Sequence, residues 1–501
     1  MTEEQRKDAS TLDHVLKYTG VFGGVQGLNI LMSVVRTKLT SYLLGPIGFA
    51  LMGVYINISE FITSTSNMGI HFASVRRLSE LFETQDAAAV ERLVRVIRTW
   101  CFWIAILAVL LCILGAHWLG MWFGKDTEIS VWSVILLAPM VTALTITAGE
   151  LSILKGVRRL RRVASISVLG ALSTLCLTVP LFWAFHIRGI ILALDVSTVA
   201  ITIIHLCFTT PLYPWRISPF SRSILREGLE LVRVGLPYAM AAIAGSGVAM
   251  ALPALMIHYG SLEDVGFYRV GYGLMVSYAG IIFTAFEADY FPRLSAVNHD
   301  EQQRNHTINQ QVRVCLLLIA PMLIALVTAM PLVIRLLNTT AFLPATDMAV
   351  CAAFYMFLRS ITVPMGYTAL ACGDSILFLL MEVIYDAISL GIIFCGYYLF
   401  GLTGAGLGLS ASALFDLLLI GFTYGRYYRV RLPVATIRLA VMQALLLGAA
   451  VVGCMLLPSF WRLAAGLPLL ACSAIISYRI LAAETTIIEK VRQKLLKRGT
   501  K

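Results

Sequence analysis

The chain has 501 residues, of which 58% are hydrophobic and only 13% are charged, and its formal net charge is +11. A soluble protein carries about 25% charged residues, so this composition excludes an ordinary soluble enzyme or binding domain. Apolar stretches of about 20 residues, the length of helix that spans a bilayer, recur from end to end. The positive charge lies in the polar segments between these stretches, where it reports membrane orientation and not nucleic-acid binding.

Apolar runs bounded by charged residues, proline or glycine predict fourteen transmembrane helices. Their approximate positions are 15–40, 46–70, 99–119, 130–154, 163–185, 188–210, 229–258, 264–290, 309–338, 345–371, 375–399, 402–424, 434–457 and 461–481. The polar segment Met1–Asp13 lacks the short apolar core of a cleavable signal peptide, so we expect the first span to be retained. The predicted fold is an all-α polytopic membrane protein.

The loops alternate in charge along the chain. Segment 155–162, after the fourth span, contains one lysine and four arginines, whereas the loop Gly401–Leu402, after the eleventh, contains no basic residue. The positive-inside rule therefore places the even-numbered loops and both termini in the cytoplasm. We expect residues 72–98 to form one amphipathic helix at the cytoplasmic membrane surface, together with the basic tail at 482–501.

An internal repeat relates spans 1–6 to spans 7–12. Gly48 and Gly266 open spans 2 and 8, and Gly156 and Gly373 mark the turns after spans 4 and 10. The separation along the chain from Gly48 to Gly266 exceeds that from Gly156 to Gly373 by a single position. Two further matches, at the ends of spans 2 and 8 and at the turns before spans 6 and 12, have almost the same separation. Because six is even, both copies start in the cytoplasm, so the repeats are parallel and related by an axis along the membrane normal.

The repeat predicts how the chain is divided. We expect an N-terminal six-helix lobe at 1–210, a cytoplasmic linker at 211–228 and a C-terminal six-helix lobe at 229–424, followed by two additional helices at 425–481 and the basic tail. Parallel halves of this kind usually enclose a central cavity and rock against each other around a site within it.

Four basic residues lie inside predicted spans and form the candidate binding set. They are Arg36 and Lys38 in span 1, Arg269 in span 8 and Arg359 in span 10. Ionisable residues at membrane depth are costly and usually face a polar cavity or a charged partner. Arg359 lies about 14 residues, or about 21 Å, into its helix, beyond easy snorkelling to either surface. Arg269 is close enough to the outer loop to snorkel outward.

A second candidate set is acidic and would couple transport to an ion. It comprises Glu60, Glu150, Asp195, Glu382, Asp386 and Asp416. Glu382 and Asp386 are four residues apart on one helical face, where two negative charges repel unless one of them binds a proton. The alternative is structural pairing of these acids with the buried arginines.

The motifs of common catalytic and nucleotide-binding sites are missing from the sequence. GxxxxGK[ST], HExxH, GxSxG and CxxC do not occur, so neither an ATP-driven engine nor an enzyme is expected. The ten cysteines are scattered, mostly within apolar runs, without metal-ligand spacing. We therefore expect no cofactor and no bound metal. The only additional species expected is an ion that drives transport, H⁺ or Na⁺.

The beginning of the chain resembles a known family. Val35-Arg36-Thr37-Lys38-Leu39 is followed at 43–55 by LLGPIGFALMGVY, and segments 57–61 and 67–70 continue the similarity. This stretch is similar to the start of bacterial O-antigen and lipid-linked oligosaccharide flippases. These are the Wzx-type exporters of the multidrug/oligosaccharidyl-lipid/polysaccharide (MOP) superfamily. The resemblance is specific over residues 20–80 and rests on topology and the repeat beyond them.

The resemblance implies a function in the inner membrane of bacteria. Such a flippase turns undecaprenyl-diphosphate-linked oligosaccharide units from the cytoplasmic to the periplasmic leaflet by alternating access, for O-antigen or other surface polysaccharide synthesis. In the family, cavity arginines and lysines bind the diphosphate. That role maps onto Arg36 and Lys38 by motif, and onto Arg269 and Arg359 by span.

The resemblance also implies partners and leaves alternatives open. The expected partners are membrane lipid, the lipid-linked glycan and polysaccharide polymerase or ligase machinery, and the protein is expected to be monomeric and to bind no nucleic acid. The family usually has twelve spans. Lipid II flippases have fourteen, so a peptidoglycan-precursor flippase is one alternative, and a cation-coupled multidrug exporter of the same superfamily is the other.

Overall fold

The computed structural model describes the backbone of residues 3–123, 129–457 and 459–484, with the side chains of most of them. The acidic and basic residues at 125–128, the side chains of Glu287 and Asp289, and the basic tail from 485 onward lie outside the described residues. The predictions made for them stay predictions.

The described chain is α-helical throughout, with fifteen α-helices, two short 3₁₀ turns and no strand among the described residues. The α-helices are α1 Glu3–Asn67, α2 Ile70–Glu83, α3 Ala87–Trp122, α4 Val131–Ile135, α5 Ala138–Gly156, α6 Leu160–Phe185, α7 Ile190–Thr209, α8 Arg222–Tyr259, α9 Leu262–Ala296, α10 Glu301–Leu337, α11 Ala345–Cys351, α12 Ala353–Ala371, α13 Ser375–Tyr427, α14 Val434–Leu456 and α15 Ser459–Glu484. The predicted all-α fold is confirmed.

Ten helical segments within the described residues are long and apolar enough to cross a membrane. Three of them, 27–67, 160–209 and 375–427, contain 41, 50 and 53 residues, whereas one crossing takes about 20. Each of the three is broken near its middle, at Gly45, at the 3₁₀ turn His186–Gly189 and at Gly401. The exact count of fourteen spans stays a prediction.

The amphipathic segment predicted as one helix at 72–98 is two helices. Gln85 takes a left-handed conformation with φ of 58°, which no helix continues through. The Asp86 side chain then accepts a hydrogen bond of 2.9 Å from the Ala89 amide and caps α3. The prediction of a single surface helix is therefore wrong, and α3 runs from this cap into the apolar segment without interruption.

Helices in the two halves repeat with a constant spacing. α5 and α12 each contain 19 residues, and they begin at Ala138 and Ala353. The helices that follow them begin at Leu160 and Ser375, which are separated by the same number of positions. The breaks at His186 and Gly401 keep this spacing and have similar left-handed φ angles of 48° and 61°.

The turns after α5 and α12 show why the glycine matches are not evenly spaced. The left-handed residue is Arg158 in the first copy, with φ of 55°, and Gly373 in the second, with φ of 77°. The amides of the next residues, Arg159 and Asp374, reach back five positions to carbonyl oxygens at 2.9 Å in both copies. This is the usual closure of a helix C-terminus. Gly373 is therefore equivalent to Arg158, and its predicted match with Gly156 is two residues out of register.

The chain packs as two units. Unit 1 is Met1–Met250 with Leu337–Thr339, and unit 2 is Ala251–Leu336 with Thr340–Lys501. The division falls inside α8, and the segment predicted as a linker, 211–228, belongs to unit 1. The lobe boundaries drawn from the sequence stay a prediction.

The core of unit 1 joins α2, α3, α5 and the first part of α8. Leu78, Ile97 and Ile153 are fully buried in one cluster, which Leu231 of α8 also enters. The close approach of α8 to the start of α2 depends on two glycines. A Cβ on Gly235 would lie 2.2 Å from the Gly69 carbonyl oxygen. This contact leaves no room for any side chain on either residue.

We expect His71 in α2 to make the stability of unit 1 depend on pH. Both ring nitrogens are buried without a hydrogen-bond partner among the described residues, and burial lowers the His71 pKa from 6.5 to about 4. The unfolded chain binds the proton first, so we expect the melting temperature of the purified protein to be flat above about pH 7 and to fall between about pH 6.5 and about pH 4. The His71→Asn variant should show a shallower fall over this range. An identical slope in both proteins would contradict this assignment.

Unit 2 contains a helical hairpin that is held by glycines. After the break at Gly401, the second arm of α13 packs Gly404 and Gly408 against Gly396 and Ile393 of the first arm. A Cβ on Gly404 would lie 2.0 Å from the Gly396 carbonyl oxygen. Small residues four apart allow two helices to approach this closely in a membrane.

Adding a methyl group at Gly404 is expected to destabilise unit 2. The clash is with backbone, so Gly404→Ala must separate the two arms, at a cost of at least about 2 kcal/mol. Gly421→Ala on the same arm is the matched control, because no atom lies within 4 Å of the added Cβ. The control should be neutral or stabilising by up to about 1 kcal/mol through helix propensity. Thermal unfolding in detergent measures both changes, and equal melting temperatures for the two variants would contradict the packing.

Candidate functional site

Unit 2 contains a charged pair that joins α12 to α13. Arg359 lies in the middle of α12, and its Nη1 is 3.9 Å from Oδ2 of Asp416 on the second arm of α13. Asp416 is buried, whereas a third of the Arg359 side chain is exposed. At 3.9 Å the two groups form an ion pair but not a hydrogen bond. The Arg359 side chain donates no hydrogen bond to any of the described residues. Its guanidinium therefore retains N–H donors for another acceptor.

Tyrosines from three helices pack on this guanidinium or on one another. The ring of Tyr355, one turn earlier on α12, has its centre 5.8 Å from the Arg359 guanidinium carbon, and the ring of Tyr385 on α13 is 6.0 Å away. Tyr272 of α9 contacts Tyr355 with ring centres 6.2 Å apart, and Tyr268 stacks on Tyr272 at 5.8 Å. These cation–π and ring contacts fix the arginine without using its N–H groups. We call Arg359 and these four tyrosines the arginine–tyrosine cluster.

Two further carboxylates face the same guanidinium. Glu382 and Asp386, one helical turn apart on the first arm of α13, both interact electrostatically with Arg359 and with Asp416. The site therefore combines one fixed positive charge with three carboxylates. Such a site can bind a proton together with an anion, because protonating one carboxylate reduces the repulsion that an incoming anion meets.

The other predicted basic residue of unit 2 follows a member of the cluster in the chain. Arg269 is half-buried on α9, next to Tyr268 in the chain. Of the residues in the two predicted sets, unit 2 brings Arg359 together with Glu382, Asp386 and Asp416.

In unit 1 the two basic residues of α1 differ in their contacts. Lys38 donates its ammonium to the carbonyl oxygen of Asn338, a buried residue that belongs to the same unit and also contacts Ser41. Arg36, half-buried one half-turn earlier, has no hydrogen bond or ion pair with any residue that the structure describes. Arg36 is therefore the one of the two whose donors are all unused by the described residues.

Glu150 is part of a buried ion pair that holds unit 1 together. Its two oxygens accept hydrogen bonds of 2.8 and 2.9 Å from Nε and Nη2 of Arg98. The remaining nitrogen, Nη1, donates to the carbonyl oxygens of Tyr213 and Pro214, and the Trp215 ring lies 4.9 Å from the guanidinium carbon. Both side chains are almost fully buried. Such a saturated pair is typical of a structural role.

The other two acids have separate surroundings. Asp195 on α7 accepts a hydrogen bond of 3.1 Å from the Met140 amide, in the first turn of α5, where helix amides lack internal partners. Glu60 is exposed on α1. Neither lies in a cluster of acids among the described residues.

Sequence reasoning missed the tyrosines near Arg359, and it missed Arg98 as the partner of Glu150. Tyr355 and Arg359 are four residues apart, as are Tyr268 and Tyr272, so each pair shares a helical face, and this spacing is the available signal. Arg98 falls in the segment that the sequence predicts at the membrane surface, and it carries no such signal.

The helical architecture is that of the MOP transporters. A multidrug resistance MATE family transporter in an inward-facing conformation matches with a TM-score of 0.65 at 15% identity, over 84% of this chain and 96% of its own. The lipid II flippase MurJ in an inward closed conformation matches with a TM-score of 0.67 at 12% identity, over 92% and 99%. A MOP superfamily transporter from Pyrococcus furiosus matches with a TM-score of 0.51 at 15% identity, over 80% and 92%. At these identities the likeness shows the fold.

The sequence family is more specific. A family described as polysaccharide biosynthesis protein matches residues 41–347, and the chain belongs to it. A search of curated proteins finds no match. The resemblance to the polysaccharide flippases drawn from residues 20–80 is thereby confirmed at the level of the family, whose fold relatives are membrane transporters and not enzymes.

Proposed function

We propose that this protein flips undecaprenyl-diphosphate-linked oligosaccharides from the cytoplasmic to the periplasmic leaflet of the bacterial inner membrane, for surface polysaccharide synthesis. The observation that carries the proposal is Arg359, a guanidinium at membrane depth with unused N–H donors. A diphosphate is the ligand that such a group binds best, through two parallel charge-assisted hydrogen bonds. Arg36 in unit 1 supplies a second donor set of the same kind.

The carboxylates around Arg359 provide a means of coupling. With Asp416 held at 3.9 Å and two more acids nearby, the diphosphate and the acids compete for one positive charge. Proton binding by Glu382 or Asp386 relieves this competition and favours the anion. Proton loss then favours its release. The Arg359 site therefore supports proton-linked transport, with Glu382, Asp386 and Asp416 as the coupling groups.

A lipid II flippase is the second candidate. MurJ matches this chain over 92% of its length, compared with 84% for the MATE transporter, and this chain also has α14 and α15 after the repeat. Lipid II and the proposed substrate share the polyprenyl diphosphate, so Arg359 and Arg36 would serve either. A cation-coupled multidrug exporter fits less well, because the Arg359 guanidinium offsets part of the negative charge of the three carboxylates and Arg36 adds a positive charge with no acidic partner among the described residues.

Reconstitution tests the function directly. The purified protein is placed in vesicles that contain a fluorescent undecaprenyl-diphosphate glycan, and flipping is followed by the fraction of label that an impermeant quencher reaches. We expect flipping that depends on an imposed proton gradient and exceeds that of lipid II at equal concentration. Faster flipping of lipid II would establish the second candidate. Transport of neither lipid, together with efflux of a cationic dye, would contradict both.

A further inference from the structure

A cavity of about 500 Å³ opens on the surface of unit 1, where the start of α3 meets the connection between α7 and α8. Its charged lining residues are unbalanced, with three arginines against one glutamate. The charged and hydroxyl side chains that line it are Glu91, Arg92, Arg95, Arg216, Ser221 and Ser223. A concave surface with several arginines and serine hydroxyls is typical of a phosphate-binding site.

The arginines of this cavity are only partly satisfied by the protein. Arg92 is engaged through Nε and Nη2, because it bonds Glu227 and donates 2.8 Å to the Ser223 hydroxyl. Arg216 and Arg95 share Glu91, at 3.3 and 3.9 Å. The Arg95 contact is too long for a hydrogen bond, and its Nε is buried without any hydrogen-bond partner among the described residues. A buried donor in this state is costly, and an added acceptor would remove the cost.

Aromatic side chains place this cavity at the membrane surface. Phe220, beside the cavity, is 86% exposed and contacts the Trp103 ring edge-on, with ring centres 6.2 Å apart. The Trp103 indole donates to the Pro219 carbonyl oxygen at 3.2 Å, which fixes the loop. Exposed tryptophan and phenylalanine next to arginine are typical of the boundary between headgroups and hydrocarbon. The positive-inside pattern assigns this boundary to the cytoplasmic leaflet, which is rich in anionic lipid.

We propose that this cavity binds the phosphate of an anionic phospholipid, with Arg95 and Arg216 as its ligands and Phe220 against the acyl chains. Glu91 competes with the phosphate and releases the two arginines when the lipid enters. The bound lipid is a resident of the cytoplasmic leaflet that stabilises the α3–α8 contact in unit 1. It is separate from any transported lipid.

Thermal stability against added lipid tests the proposal on the full-length protein in detergent. Phosphatidylglycerol should raise the melting temperature with a saturating dependence on concentration, whereas phosphatidylcholine and inorganic phosphate at equal concentration should not. The Arg95→Gln/Arg216→Gln variant should weaken the apparent affinity for phosphatidylglycerol at least about tenfold. Arg216→Gln alone covers the case in which the double variant folds poorly, because the Arg216 side chain is 62% exposed.

Arg76→Gln is the matched control. Arg76 is an exposed arginine of α2 in the same unit, paired only with Glu80 on its own helix among the described contacts. This variant removes the same charge outside the cavity and should change the affinity by less than about twofold. If inorganic phosphate raises the melting temperature as much as phosphatidylglycerol does, the ligand is not a lipid. If Arg76→Gln weakens the affinity for phosphatidylglycerol as much as the cavity variants do, the cavity is not the binding site.

Discussion

Arg359→Ala is expected to reduce flipping of the lipid-linked glycan by at least about a hundredfold, because two charge-assisted hydrogen bonds to the diphosphate contribute about 3 kcal/mol or more. Arg359→Lys should retain part of the activity, since it keeps the charge but loses the paired geometry of the guanidinium. Flipping in reconstituted vesicles, normalised to the amount of folded protein, measures both. Arg426→Ala, which removes an exposed arginine from the end of α13, is the control and should keep full activity.

Folding must be separated from binding in this experiment. Removing Arg359 leaves Asp416 buried without its ion pair, which is destabilising by itself. The double variant Arg359→Met/Asp416→Asn removes both charges and should recover stability while remaining inactive. If the double variant flips the glycan at the normal rate, the arginine–tyrosine cluster is not the diphosphate site.

Glu150→Gln is expected to have the largest effect on stability. The change leaves the Arg98 guanidinium buried without a counter-charge, and the glutamine NH2 places a donor where a carboxylate oxygen accepted from Arg98. Loss of the charged partner of a buried pair costs about 3–5 kcal/mol. We expect a large fall in melting temperature and in the yield of folded protein. The fraction that folds should transport normally, because the pair is saturated by protein groups. A stable Glu150→Gln protein without proton dependence of transport would instead establish Glu150 as a coupling group.

A surface pair gives the comparison for this effect. Glu301 and Arg429 form an exposed ion pair in unit 2, with Nη1 3.5 Å from Oε2. Glu301→Gln should change stability by less than about 1 kcal/mol, because solvent screens such pairs. The double variant Arg98→Met/Glu150→Leu should recover much of the loss of Glu150→Gln, since no charge is then left buried. It should not recover all of it, because the two carbonyl oxygens that accept from Arg98 lose their donor.

The helical fold could be predicted from the sequence because a bilayer leaves few choices. Backbone groups in hydrocarbon must be paired within the segment, so long apolar runs become helices. The repeat was also visible, but its register was not. Glycine is the expected left-handed residue at a helix C-terminus, and the first copy uses Arg158 there instead. A search based on glycine therefore selects Gly156 and misjudges the register.

The site was harder to predict than the fold. Arg359 could be singled out from the sequence, because its depth within an apolar segment can be read from hydropathy alone. Its neighbours come from separate helices, and the sequence carries no record of which helices touch. Arg98 was missed for a second reason, which is that α3 continues from a surface segment into the core. In this segment, an arginine is at the surface or buried according to where α3 begins and ends, and the sequence does not mark those positions.

The constant spacing between equivalent helices makes each unit an internal reference for the other. In the positions of unit 1 that correspond to Arg359, Glu382 and Asp416, the chain has Leu144, Ser167 and Ile201. The helices that carry them have equivalent starts, and α5 has the same length as α12. Equivalent helices therefore keep the same length and spacing whether or not these three positions are charged. The backbone of such a unit does not depend on the charged site, and unit 1 shows the same helical arrangement without it.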